Sequence, residues 1–362
     1  MRKFRPSQAN YWGNCAAFQR FTADLPEQPS GDAAREGTCA AWIAEVVLNG
    51  DASSCADMLG ETHANGWQAS ETMCDDVQEY VDMVRSFGGT VHAEKHVRAS
   101  DSPLIEGTLD VLVVTPDVLH VIDLKYGRRT VEARGNKQLI CYGYGALLAW
   151  PAIRSRGFHL SVYQPRSFHR DGIFRTWKLT PDQLQAEFMK LHAAAVESEK
   201  PDSIATPGPH CRDCEAAAGC VALAETTYNL VDTVTSRDHR EMTPIELSRE
   251  LDFVDDARKT IEARFKAIEA EAAARIKRES IPHWSTAPTT GNRVFTVDPV
   301  TVQLLTGVDP SIIGTCTPAA LERRGADKEI VKSITKQPVT GHKLTRIDSD
   351  YIAGIFNATK GK

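Results

Sequence analysis

The chain has 362 residues, 42% of them apolar and 25% charged, and a formal net charge of −6. That length can bury one large core or two smaller ones, and no apolar run approaches the roughly 18 residues of a membrane span. The N-terminus MRKFRPSQANYWGNC has no hydrophobic signal core, so nine cysteines imply reduced thiols or a metal in a cytoplasmic protein, not disulfides.

In chain order, Ala33–Leu48 reads as a helix with Trp42, Ile43, Val46 and Val47 at its apolar positions. Glu71–Phe87 is a second helix, built on Met73, Val77, Tyr80, Val81 and Val84. Gly88-Gly89 ends it, and Thr90–Val97 reads as a strand. Two β-rich apolar runs follow, Thr108–Thr115 and Val118–Lys125, on either side of the turn dipeptide Pro116-Asp117. With those two residues as the loop, Thr115 pairs with Val118, and counting outward sets Asp110 opposite Asp123.

Facing residues of an antiparallel pair have Cβ atoms about 5 Å apart, where like charges repel, so two carboxylates there need a cation between them. Lys125 is two residues beyond Asp123 and projects from the same face of its strand. Two acids and a lysine converging on one point suit a divalent-metal site that hydrolyses a phosphodiester. The plainer alternative is an amphipathic hairpin with its acids in solvent. The neighbours Leu109, Val111, Leu112, Val121, Ile122 and Leu124 speak against it, because they suggest a sheet covered on both faces. An unpaired carboxylate in such a sheet would cost several kcal/mol.

Asn136 can cap a helix over Lys137–Trp150, which stops before Pro151 and carries Gln138 and Tyr142 on one face. Phe158–Gln164 and Ile173–Leu179 read as strands, and Thr180-Pro181-Asp182-Gln183 opens another helix with a capping box. The class is α/β, with a central mixed sheet flanked by helices. A Pro- and Gly-rich loop, Ser203–His210, introduces Cys211-x-x-Cys214 and then Cys220, three thiols in one small loop-plus-helix. Zinc and iron–sulfur sites both accept four thiolates, so the triplet needs a fourth ligand. His210 could serve zinc, whereas Cys39, Cys55, Cys74, Cys141 and Cys316 lack such spacing and read as buried apolar residues.

Thr243–Glu246 is a further capping box that opens a long helix to about Ile276. Its stripe of Leu247, Leu251, Val254, Ile261, Phe265, Ile268 and Ile276 is expected to face the core, with a partner seam as the alternative. Residues 1–230 are the expected first domain, and 231–362 a mainly helical extension made of the long amphipathic helix and a small mixed, mildly basic region. Charge is unevenly spread. The first hundred residues hold eight bases and fourteen acids, while Lys125–Lys178 holds eleven bases and two acids, Glu132 and Asp171. A basic stretch that starts at the Asp123–Lys125 strand suits a nucleic-acid path.

Asp110, then Asp123-x-Lys125 on the next strand, then Gln138-x-x-x-Tyr142 on a helix, resembles the RecB-like branch of the PD-(D/E)XK nuclease superfamily. The wording VIDLKYG and NKQLICYGYGAL is similar to a phage- and prophage-encoded family of RecB-like nucleases, over about Ser7 to residue 345. The resemblance implies a PD-(D/E)XK core and a Mg²⁺- or Mn²⁺-dependent deoxyribonuclease, an exonuclease of phage recombination or replication. It would act in the bacterial cytoplasm on DNA, with a phage single-strand annealing or single-strand-binding protein as partner.

By the same resemblance Asp110, Asp123 and the Leu124 carbonyl hold the metal, Lys125 orients the nucleophile or stabilises charge, and Gln138 and Tyr142 position the strand. Iron–sulfur members, AddB-type and CRISPR adaptation nucleases among them, carry one cysteine before the core and a C-x2-C-x5-C triplet after it. That order is matched by Cys15 and by Cys211, Cys214 and Cys220, and it implies a [4Fe–4S] staple, with zinc as the alternative. RecB-like nucleases usually carry a histidine between a Gly-Thr pair and a glutamate. Here GTCAAWIAE keeps Gly37, Thr38 and Glu45 but has Ala41, so Glu45 is the expected substitute ligand; His63 lies further along the chain. Two rival readings are a weak or inactive DNA-binding scaffold with this fold and a zinc-bound regulatory protein.

Overall fold

The hairpin, the helix after it and the next strand build the centre of the molecule. The computed structural model describes residues 3–26, 30–150, 157–235, 242–311 and 317–346. The first elements are β1 (Lys3–Phe4), α1 (Ala9–Trp12), α2 (Phe18–Thr22), α3 (Asp32–Asn49) and α4 (Glu71–Ser86). Then come β2 (Thr90–Asp101), β3 (Leu104–Val114), β4 (Val118–Leu124), α5 (Lys137–Ala149), β5 (Gly157–Tyr163), β6 (Phe174–Leu179) and α6 (Pro181–Ser198). The expected helices and strands stand within four residues of these bounds; β2 runs on to Asp101, and β3 begins at Leu104, ahead of the expected Thr108.

The sheet order is β1-β3-β4-β5-β6, with β2 pairing the other edge of β3. β3 and β4 are antiparallel across the Pro116-Asp117 turn, whereas β4 and β5 are parallel. Parallel neighbours need a crossover, which α5 supplies. The sheet is therefore mixed, with helices on both faces. On one side α5 and α6 bury Leu139, Ala146, Leu184 and Phe188 against Leu119, Phe158 and Leu160. On the other, α3 and α4 bury Ile43, Val47, Val77 and Val84 against Val111, Val113 and Ile122.

Capping follows the expected chemistry. The Asn136 side chain accepts from Leu139 N at the start of α5, and Thr180 and Gln183 form the reciprocal box of α6. α5 lies very close to the sheet. A Cβ on Gly143 would come 2.9 Å from Leu160 Cδ2, and one on Gly145 3.0 Å from Val97 Cβ, so larger residues would push the helix outward.

The chain forms two compact units, Met1–Arg264 and Phe265–Lys362. The division falls inside the long helix, past the expected boundary at 230. The first unit also contains α7 (Val221–Thr235), a helix not anticipated from the sequence, and most of α8 (Pro244–Arg275). The α8 stripe is not a core face: Leu247, Leu251, Val254, Phe265 and Ile268 are exposed. The buried positions of α8 are Ala257, Thr260 and Ala263, and Arg264 donates to the carbonyls of Ala217 and Ala218 at 3.1 and 2.8 Å. Small residues allow the close approach that those carbonyl contacts require, which hydrophobic periodicity alone does not encode.

Beyond α8 the second unit is mixed. It has β7 (Trp284–Thr290), β8 (Val294–Phe295), α9 (Pro299–Thr306), α10 (Pro318–Arg323), α11 (Lys328–Ser333), β9 (Thr335–Lys336) and β10 (Val339–Arg346). β7 pairs with β10, and β8 pairs with β9 beside a small core of Val302, Leu321, Val331 and Ile334 on which Phe295 packs. No helix among the described residues is long and apolar enough to cross a membrane.

Candidate active site and thiol-lined cavity

Turn chemistry sets the register at the centre of the sheet. Thr115 N donates to Val118 O at 3.1 Å, and the ladder runs through Val113–His120 to Val111–Ile122. In that register the next hydrogen-bonded rung would join Leu109 and Leu124. The ladder stops short of it, and Leu124 N donates instead to Asp110 Oδ2 at 2.8 Å. The strands part where the two acids begin, and the Asp110 carboxylate takes a main-chain donor in place of a strand partner.

Asp123 is 1% exposed, with Lys125 Nζ 3.0 Å from its Oδ1 and 2.8 Å from its Oδ2. The second contact is an ion pair only, since no hydrogen bond of good geometry reaches Oδ2. Lys125 Nζ also donates to Gln138 Oε1 at 3.2 Å, and the Gln138 side chain hydrogen-bonds the Tyr142 hydroxyl. Asp123, Lys125, Gln138 and Tyr142 thus form one connected string between β4 and α5. Burial pulls the Lys125 ammonium down, but Asp123 and Asp110 outweigh it and hold the group above its ordinary pKa. Burial, then the Asp123 charge, pushes Asp110 well above the ordinary carboxylate range.

On the other side of Asp110 a small cavity is lined by Ala41 and Glu45 of α3, Tyr80 of α4, Glu94 of β2 and Leu124. Ala41 lies on that wall, where an imidazole would be expected, with Glu45 beside it. Glu94 is a site residue that sequence reasoning missed. It falls between the pairs Ala93–Val111 and Lys95–Leu109, so it lies across from Asp110. Its φ of 46° is a left-handed kink that a non-glycine residue seldom adopts within a strand. Burial, then the Glu45 charge, pushes the Glu94 carboxyl up to about 7. Tyr80 is wholly buried, and its hydroxyl has no partner among the described residues. An orphaned donor beside the half-buried acids Glu45, Glu94 and Asp110 leaves polar capacity for water or a hydrated cation to satisfy.

Among the described residues no three His, Cys, Asp or Glu side chains stand within the span of one ion. Glu45, Asp110 and Asp123 therefore do not form a three-carboxylate clasp. A Mg²⁺-type site remains compatible with this geometry, since that ion commonly takes one or two carboxylates and keeps several waters.

The segment after Lys125 is fastened by residues that sequence reasoning also missed. Gln164, completely buried, donates to the carbonyls of Gly127 and Arg129 at 2.7 and 2.8 Å and accepts from Val131 N at 3.1 Å. Buried Arg175 donates to Gln164 Oε1 at 2.7 Å and to Val131 O at 2.8 Å. Tyr126 donates to Asp76 Oδ2 at 2.9 Å, under the Arg166 guanidinium.

Cys15, Cys211, Cys214 and Cys220 line a second, apolar cavity with Tyr11, Phe18 and His210. The N-terminal segment is drawn there by Arg20, which donates to Ser203 O at 2.6 Å, and by Lys137, which donates to Gly13 O at 3.0 Å. Burial, with the other thiols adding to it, pushes Cys214 up to about 11. His210 Nε2 is buried without a partner among the described residues. Cys39, Cys55 and Cys74 are buried in one core cluster and Cys141 in the other, none in a disulfide, and Cys316 lies outside the described residues.

The crystal structure of a "Putative exonuclease" from Eubacterium rectale is similar over 67% of this chain and 90% of its own at 9% identity, with a TM-score of 0.33. A family model described as "Protein of unknown function (DUF2800)" matches residues 3–311, most of the chain. The protein belongs to that family.

Proposed function

We propose that this protein is a Mg²⁺- or Mn²⁺-dependent DNA nuclease, an exonuclease of phage recombination or replication with a PD-(D/E)XK core. The observation that carries the reading is the string of Asp123, Lys125, Gln138 and Tyr142 beside Asp110, at the point where β3 and β4 part. Asp110, Asp123 and the Leu124 carbonyl would hold the cation, with Glu45 and the newly found Glu94 acting directly or through water. A bound divalent cation supplies a nucleophile at neutral pH and polarises the phosphate. The Lys125 ammonium, fixed between Asp123 and Gln138, would stabilise negative charge developing on the phosphate. Tyr142 and Gln138 would position the strand, and the Leu124 amide would keep the Asp110 carboxylate from turning away.

The order of Cys15, Cys211, Cys214 and Cys220, which line one cavity, favours a [4Fe–4S] group by resemblance. Four thiolates suit either group, and zinc stays the alternative. The group would staple Cys15 to Cys211, Cys214 and Cys220 and so tie the unit's N-terminal segment to its far side.

Digestion of linear and circular DNA by anaerobically purified protein with Mn²⁺ tests activity and the need for an end together. Linear DNA should be degraded and closed circles spared. Asp123→Asn should lower the rate by more than about 100-fold, since even partners behind a metal ligand are typically worth 10–100-fold. Equal rates for wild type and Asp123→Asn would remove the assignment.

A further inference from the structure

We infer that Phe168 is a base-stacking residue that holds a single-stranded segment of DNA beside the Asp123–Lys125 edge, an inference that rests on the nuclease reading above. Phe168 is 99% exposed, the most exposed large apolar side chain among the described residues. A single exposed apolar residue needs no explanation in itself. Here the loop's rigidity, its position and its charge each point the same way.

The loop between β5 and β6 is internally braced. Ser167 Oγ bonds Thr130 Oγ1 at 2.9 Å, Gly172 N donates to His169 O at 3.0 Å, and Gln164 N donates to Ile173 O at 2.8 Å. The neighbours Ser167 and His169 are tucked inward, with the His169 ring 10% exposed and 3.1 Å from Glu132. The backbone therefore presents Phe168 outward from a fixed loop. A pre-ordered aromatic loses little conformational freedom when a partner docks on it.

β4 and β5 are parallel, so their carboxyl ends share one edge of the sheet, and Lys125 N donates to Tyr163 O there at 2.9 Å. Phe168 follows Tyr163 by five residues, at most about 17 Å of extended chain, or a few nucleotides from the proposed metal site. Arg128, Arg134 and Arg170 are exposed on the same two loops. Cations that follow a backbone, with an aromatic face for the bases, are the two parts of sequence-tolerant single-strand binding.

The test is fluorescence anisotropy of a labelled single-stranded oligonucleotide with full-length protein in Ca²⁺. Phe168→Ala should weaken binding roughly 5- to 150-fold, the range that loss of one stacked base gives. The salt dependence of binding should not change, because no phosphate contact is removed. Phe168→Trp should keep the affinity and show emission quenching beyond that of wild type when DNA is added, while Phe168→Leu should bind like the alanine variant. Melting temperatures should match wild type throughout.

Wild-type affinity in Phe168→Ala would overturn the inference and leave the nuclease reading standing. Rescue by leucine would overturn stacking in favour of a purely apolar contact. Failure of wild type to bind or cleave any DNA would remove both readings together.

Discussion

The carboxylates where β3 and β4 part and the thiols around the Cys15 cavity are both buried groups suited to metals, yet they are assembled differently. The acids come mostly from one hairpin, with charges that repel one another and a lysine and a main-chain amide to offset the repulsion. The thiols come from opposite ends of the unit and stand in an apolar wall, where burial raises Cys211 and Cys214. A hairpin site can form before the rest of the chain has folded around it, whereas a thiol site about two hundred residues in span can form only when the whole unit closes. Losing the first should therefore cost chemistry, and losing the second should cost the fold.

The largest effect expected from this contrast is at Cys15. A cross-link of that span is worth about 5 kcal/mol of unfolded-state entropy. Cys15→Ser should give colourless, poorly soluble protein with little iron, and Cys55→Ser should not, because Cys55 lies in the other core cluster and does not line the thiol cavity. Iron analysis and thermal melting of the two variants decide it, and full iron retention in Cys15→Ser would show that the fourth ligand is misassigned.

Next is the fastening of the segment beside the acids. Gln164→Ala removes four buried hydrogen-bonding contacts and leaves Arg175 short of an acceptor. Stability should fall by about 2–4 kcal/mol in urea unfolding, from unsatisfied buried groups. kcat should fall more than KM rises, as Lys125 and the segment after it lose their fixed geometry. An unchanged kcat would mean that the fastening serves the fold alone.

A smaller effect separates the acids by pH. Glu94 is pushed up from 4.5 to about 7, so its contribution to metal-free stability is present below about 4.5 and lost as pH rises through about 7. Asp110 is shifted in the same direction. The melting temperature of metal-free protein should therefore decline over that window, with a shallower decline in Glu94→Gln. Added Mn²⁺ should restore stability above pH 7 in wild type more than in the variant. Parallel curves would place Glu94 outside the site.

The smallest expected effect concerns the missing histidine. Glu45→Gln should slow cleavage about tenfold, as loss of an outer or water-bridged ligand does. Ala41→His should raise activity or change metal preference, because Ala41 lies on the cavity wall beside Glu45. A Glu45→Gln rate equal to wild type, under conditions where Asp123→Asn is inactive, would remove Glu45 from the mechanism.

Particular residues show why part of this was legible in advance. α3, α4, α5 and α6 announce themselves through apolar spacing and caps, because a helix that buries one stripe must repeat it. The turn at Pro116-Asp117 fixes the β3–β4 register, since a two-residue loop leaves one pairing. Glu94 carries no such signal. In the sequence it is one acid in a polar strand, and it reaches Asp110 only through the pairing of β2 with β3 and a local left-handed kink. Gln164 and Arg175 read as ordinary polar residues at strand ends, and their roles depend on which loop folds over them.

The sequence by itself determined helices α3 to α6 and α8, the hairpin register and the order of the acidic and thiol motifs, because periodicity, caps, turn geometry and spacing are all local. Tertiary structure alone decided that β3 and β4 part at Asp110, that Glu94 and Tyr80 join its cavity, and that Cys15 meets the later thiols. It also decided that α8 buries its alanines and not its apolar stripe. Each of these depends on contacts between residues far apart in the chain, where burial and close approach outweigh local preference.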